Sequence, residues 1–197
     1  YYENKIKMSV LIYSTDGKQA DATTYHANGF IASTGKYINQ QKTGKWKFYS
    51  YYNEGLLINE EEYSLNLKNG PSIKYYNDGS VAERLNYINN IKDGEWFQYH
   101  PNGKVLIHAW YLKGLLDGKY EAWFDNGVLQ ISGFYKNNLR EGKWYIYDNE
   151  GKLKYQLDYV YGITKNKDID IESTNLIDSL EKNSWKVADP EKTGTIK

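Results

Sequence analysis

Gly94-Glu95-Trp96-Phe97-Gln98-Tyr99-His100-Pro101-Asn102-Gly103 is the stretch whose reading decides the fold. It ends in Asn-Gly, the dipeptide best suited to the positive φ of a tight hairpin turn. Beyond the turn, Lys104-Val105-Leu106-Ile107-His108-Ala109-Trp110-Tyr111 alternates, placing Val105, Ile107, Ala109 and Tyr111 on one face of an extended strand. Two strands joined at Asn102-Gly103 make one hairpin.

The hairpin recurs in both directions along the chain. Turn glycines stand at Gly29, Gly55, Gly79, Gly103, Gly127 and Gly151, with a spacing of 26 once and 24 four times. Another step back of 24 lands on Lys5, in the degenerate copy Glu3-Asn4-Lys5. Four residues before each position is an aromatic: Tyr1, Tyr25, Tyr51, Tyr75, Tyr99, Trp123 and Tyr147. Eight residues after each is a tyrosine: Tyr13, Tyr37, Tyr63, Tyr87, Tyr111, Tyr135 and Tyr159. Two columns filled without exception make a unit of about 24 residues the organising feature of the chain.

A second glycine column, Gly44, Gly70, Gly94, Gly118 and Gly142, marks the return turn of each unit, read here as longer than the Asn-Gly turn. Two residues after it come Trp46, Ser72, Trp96, Tyr120 and Trp144. Trp96 and Tyr99 are three apart, so a regular strand sends them to opposite faces; either a bulge intervenes or both faces carry aromatics. The two extra residues of the second unit fall within Phe48-Tyr49-Ser50-Tyr51-Tyr52, as a bulge or a longer hairpin.

The expectation is an all-β protein: tandem β-hairpins forming an elongated, twisted antiparallel meander, about seven units over residues 1–165. Residues 166–197 read as a capping segment. Its short helix over Ser173–Lys182, with Leu176, Ile177 and Leu180 as the apolar face, covers the last strand.

Composition narrows the function. Lys plus Arg equals Asp plus Glu at 25 each, and that balance speaks against capture of nucleic acid. No apolar run is long enough for a transmembrane segment. Cysteine is absent, removing disulfides, thiolate metal sites and cysteine nucleophiles together. The 21 Tyr and 6 Trp suit half-buried pleated surfaces, where the ring packs and the polar tip stays wet.

The units, with Gly94-Glu95-Trp96-Phe97-Gln98-Tyr99-His100-Pro101-Asn102-Gly103 as example, resemble the bacterial variant of the MORN repeat over roughly residues 1–165. The resemblance implies a scaffold and carries an antitoxin-like label from bacterial members. It brings no catalytic residues. Lys5, Ala20, Ser72 and Asn166 depart from its pattern, which makes the first and last units caps.

The columns separate structural positions from candidate sites. His26 and His100 share a slot filled by Tyr2, Tyr52, Tyr76, Phe124 and Asp148 in other units, so they read as packing residues. Asp93, Asp117 and Glu141 form an acid column, read as turn hydrogen-bonding residues rather than an acid–base pair. Asp168-Ile169-Asp170-Ile171-Glu172 lacks the turn glycine of a calcium loop. No cofactor, metal site or enzymatic constellation is expected. The binding candidates are Trp110 and Phe134, one residue before the tyrosine column, where other units carry Lys36, Glu62, Asn86 and Asp158. They make an apolar patch on a solvated face, rimmed by Arg84, His108 and Ser132. The expected role is a non-enzymatic scaffold binding a protein partner or its own copy. The alternative is a glycan- or cell-wall-binding module, since rows of Trp and Tyr stack on sugars. A bacterial envelope location is expected, with a cytoplasmic one as the alternative.

Overall fold

The computed structural model describes residues 1–164, 175–177 and 179–180. It contains fifteen strands, each antiparallel to its neighbours. They are β1 (Ser9–Tyr13), β2 (Gln19–Tyr25), β3 (Ile31–Ile38), β4 (Gln41–Tyr49), β5 (Leu57–Ser64), β6 (Leu67–Tyr75) and β7 (Val81–Ile88). They continue as β8 (Ile91–Tyr99), β9 (Val105–Leu112), β10 (Leu115–Leu116), β11 (Gly118–Trp123), β12 (Leu129–Lys136), β13 (Leu139–Tyr147), β14 (Leu153–Val160) and β15 (Ile163–Thr164). The fold is the expected all-β meander of hairpins. Two compact units divide it: Tyr1–Val81 with Tyr87–Ile91, and Ala82–Asn86 with the described residues from Lys92 onward.

The two turn types exchange the roles read from the sequence. The tight two-residue turn is Asn89-Asn90, with φ of 50° and 68°, and its equivalents are Asn39-Gln40, Leu65-Asn66, Lys113-Gly114, Asn137-Asn138 and Tyr161-Gly162. Two consecutive positive φ values define the turn whose twist matches antiparallel strands. The Asn-Gly loops are wider. His100 N donates to Lys104 O at 2.8 Å and Gly103 N to His100 O at 2.8 Å, a type I turn closed by Gly103 at φ 80°. Asn102 keeps a negative φ, so its side chain rather than its backbone is what the position selects.

That side chain builds a ladder between units. Asn102 Oδ1 accepts from Lys104 N at 3.0 Å, while its Nδ2 donates to Asp125 O at 2.8 Å, 23 residues on. Asn4, Asn28 and Asn126 donate in the same way to Ala27 O, Tyr51 O and Asn149 O. A second ladder joins the tight turns: Lys68 N donates to Asn90 Oδ1 at 2.6 Å and Asn90 N to Lys68 O at 2.8 Å. Asn138 repeats this reciprocal pair with Leu116. Each hydrogen bond contributes only about 1 kcal/mol, but the ladder fixes the register of neighbouring units.

The second glycine column lies inside strands, at the point where one strand leaves its partner for the next. Ser132 pairs with Tyr145 and Phe134 with Glu141, leaving Gly133 opposite the extra residues 142–144. Trp144 and Ile146 then occupy the core face while Tyr147 lies half-buried on the other. Both faces therefore carry aromatics. The bulge beside Tyr147 belongs to the partner strand, where Ile146 pairs with Tyr155 but Tyr147 with Leu153. The two extra residues of the second repeat widen its loop: Ser50 N donates to Leu56 O at 2.9 Å, spanning Tyr51–Gly55.

The core is a row of alternating large and small side chains. In the second unit it runs Trp96, Ala109, Tyr120, Gly133, Trp144, Leu157, with Trp96 opposite Ala109, Tyr120 opposite Gly133 and Trp144 opposite Leu157. The β9–β11 register brings Tyr120 up to Ala109, and the bulge at Gly133 brings that glycine up to Trp144. Gly133 is the seat of Trp144, since a Cβ there would fall within the indole ring. Gly35 gives Trp46 the same seat in the first unit. Trp144 and Tyr135 meet edge to face at 5.0 Å, as do Trp46 and Tyr37 at 5.1 Å.

The tyrosine column is graded in burial. Tyr63, Tyr135 and Tyr159 are buried, Tyr37, Tyr87 and Tyr111 half-buried, and Tyr13 is 59% exposed. Residues 175–177 and 179–180 are helical, with Ile177 fully buried. Asn175 and Leu176 border a groove with Phe124, Ile146 and Tyr155, toward the core side of the last hairpins. The ends of the expected helix and the Asp168–Glu172 run lie outside the described residues.

Candidate functional site

The outer face, opposite the Trp row, holds the binding candidates. On β8, Phe97 follows Trp96 and so points to the other side of the pleat. Directly across on β9 is His108, and the two rings stack with centroids 4.0 Å apart and planes 13° from parallel. Trp110, two residues along β9, lies 4.1 Å from the His108 ring. Tyr99 extends the cluster, nearly parallel to Phe97 at 6.2 Å. Glu95, opposite Trp110, places Oε1 3.3 Å from His108 Nε2. Gly118, at φ 135°, lets the neighbouring strand approach Trp110, because a Cβ there would stand 3.0 Å from the Trp110 Cβ.

Phe134 occupies the matching position on β12 and is 45% exposed. It pairs with Lys119 on β11 and Glu141 on β13, so charged side chains flank it on both sides. Trp110 and His108 are thus brought together with Phe97 and Tyr99, whereas Phe134 forms a separate exposed position on the same face. Between them Glu121 and Ser132 pair, and Lys119 reaches Glu121 at 2.7 Å. Arg84 is exposed on β7. Phe97 and Tyr99 were missed as site residues; period-two alternation from Trp96 and the aromatic column were the signals that could have found them.

In the first unit the equivalent face of β2–β5 carries polar and charged pairs, while Ile12 on β1 and Ile73 on β6 lie on the same face opposite Asp21 and Glu60. Thr23 and Thr34 face each other, Lys36 lies 3.7 Å from Asp21, and Lys45 and Lys47 reach Glu60 at 3.4 and 3.7 Å. The stacked aromatic cluster therefore does not recur across β2–β5 of the first unit.

The columns read as structural have geometric roles. His26 and His100 place Nε2 3.0 and 2.8 Å from Tyr49 O and Trp123 O, one unit ahead, and Tyr2 donates its hydroxyl to Tyr25 O at 2.7 Å. The acids accept backbone amides of the following tight turn: Asp93 from Lys113, Asp117 from Asn137 and Glu141 from Tyr161. A hydrogen bond from Lys136 and the Asn137 amide hold the Asp117 carboxyl below its ordinary range. One column escaped the sequence reading. Lys42 lies 4.7 Å from the Trp46 ring and 4.9 Å from Tyr63, Lys92 lies 4.7 Å from Tyr111, and Arg140 lies 5.7 Å from Trp144 and Tyr159. These cations cover the tyrosine column with their stems and place charge over the rings.

A repeated antiparallel hairpin with inter-unit ladders defines a tandem β-hairpin repeat protein. Four of its segments, residues 68–89, 92–109, 116–137 and 140–161, match the family model of the MORN repeat variant. Each matched segment is centred on an Asn-Gly-type loop and its two strands. No curated protein matches the chain. Among the described residues, no helix is long and apolar enough to cross a membrane, and no three His, Asp or Glu side chains gather as a metal site would require.

Proposed function

We propose that the chain is a non-enzymatic scaffold that docks another protein on the outer face of its second unit. The observation that carries this reading is the Phe97–His108–Trp110 cluster, with Tyr99 beside it and Phe134 exposed nearby on the same face. An aromatic centre with a charged rim of Glu95, Lys119 and Glu121 has the anatomy of a protein-binding hot spot. Similarity to a family of repeats supports an interaction role and adds no chemistry. The antitoxin-like role implied by the resemblance is a finer version of the same proposal, in which the partner is a toxin.

The ring geometry weighs against the sugar-binding alternative. Stacking on a sugar uses an open ring face, and Phe97 and His108 spend one face each on the other. The test places a photo-crosslinking residue at Phe134 and, as control, at Lys47 on the polar outer face of the first unit. Discrete protein adducts from position 134 that Phe97→Ala suppresses support the proposal. Equal adducts from both positions overturn it, and binding on a glycan array that Trp110→Ala abolishes selects the sugar reading instead.

A further inference from the structure

The loop asparagines carry a chemistry that the scaffold role does not use. Asn28, Asn102 and Asn126 are each followed by glycine and each lie on an exposed loop. Asn-Gly is the pair in which a backbone amide most easily reaches the preceding side chain, because glycine puts no Cβ in the way. All three are exposed, so burial does not guard them. Hydrogen bonding does. The carboxamide is held at both ends: Oδ1 accepts from Phe30 N (3.1 Å), Lys104 N (3.0 Å) and Val128 N (2.9 Å). Nδ2 donates to Tyr51 O (2.7 Å), Asp125 O (2.8 Å) and Asn149 O (3.0 Å). The attacking nitrogen is occupied as well, with Gly29, Gly103 and Gly127 N–H donating to His26, His100 and Phe124 O at 2.8–2.9 Å.

We propose that Asn28, Asn102 and Asn126 are deamidation sites gated by the fold, closed while the inter-unit ladder is made and open when a loop detaches. In the open loop the glycine nitrogen attacks the asparagine Cγ and forms a C–N bond. The Cγ–Nδ2 bond breaks, and ammonia leaves with the proton given up by the glycine amide. Water then opens the succinimide at either carbonyl, giving aspartate or isoaspartate; water is the only co-reactant.

The product cannot rebuild what it lost. A carboxylate has no N–H for Tyr51, Asp125 or Asn149 O, so the ladder stays broken at that rung. Asp78 shows how an acid sits in this column: its Oδ1 accepts from Ser80 N at 2.9 Å and Ser80 Oγ at 2.6 Å, which is the turn half of the arrangement alone. Asn4 is the internal control. It makes the same two bonds, to Ile6 N and Ala27 O, but is followed by Lys5.

The whole chain is incubated at neutral pH, native and in concentrated urea, and deamidation of each loop peptide is followed by mass spectrometry. Modification of a folded site tracks the fraction of time it is open, so the three loop Asn-Gly peptides (as distinct from Asn69-Gly70 in β6) should convert roughly tenfold or more slower in the native chain. In urea, the Asn4 peptide should lag behind all three. In a Gly133→Ala chain kept without denaturant, Asn126 should convert faster than in the parent. Equal native and urea rates at the three sites would show that the ladder protects nothing and overturn the proposal.

Discussion

At the scale of single residues, the glycine beneath Trp144 leaves no room for an added carbon. Gly133 has no positive φ, so its requirement is purely spatial. Gly133→Ala is expected to cost about 1–3 kcal/mol through overpacking, read as a lower denaturation midpoint. Trp144→Phe in the same chain should recover part of that loss by shrinking the ring. The tyrosine column predicts a series: Tyr159→Ala should cost about 3–5 kcal/mol, Tyr87→Ala less, and Tyr13→Ala little. A uniform effect along the column would contradict the burial gradient. Asn59 behaves in the opposite sense. It is fully buried between Phe48 and Lys74, with neither amide atom hydrogen-bonded in the structure. Replacing it with leucine removes a desolvated amide that costs about 1–3 kcal/mol, so Asn59→Leu should raise the midpoint.

At the scale of hairpins, most of the architecture was legible in the sequence and the turn assignment was not. Periodic glycines and tyrosines fix where strands run, because alternation and spacing are one-dimensional signals. Which glycine column is a turn and which a bulge depends on the register of the partner strands. Asn102-Gly103 also looked like a tight turn because the dipeptide favours positive φ, whereas the position is selected for the carboxamide ladder. The patch was half legible: Trp110 and Phe134 broke a polar column, but stacking of Phe97 on His108 needs the register. Turn geometry gives its own prediction. Leu65 holds φ 52° in a tight turn where asparagine sits in other units. Leu65→Asn should therefore stabilise the chain by about 1 kcal/mol in equilibrium denaturation. The acid column adds a pH dependence. Because the folded Asp117 carboxyl sits below its ordinary range, its contribution is present above the unfolded value near about pH 4 and fades as pH falls through the folded one. In Asp117→Asn, melting temperature should change less on acidification than in the parent.

At the scale of the molecule, each strand is hydrogen-bonded to strands close to it in the chain, so a perturbation has few routes by which to spread. Hydrogen exchange in Gly133→Ala should rise in β11–β14 and remain at parental rates in β1–β4. A change of equal size in β1–β4 would mean that the meander melts as one body. The ladders carry a consequence for how such a chain arises and varies. Their bonds reach 22 to 24 residues ahead at a fixed offset, and the groups they join are themselves repeated. A block of one unit's length, duplicated or excised during recombination, therefore meets the same donors and acceptors at its new boundaries. Copy number becomes a heritable variable of the gene, and a longer or shorter protein needs no newly invented contact to fold.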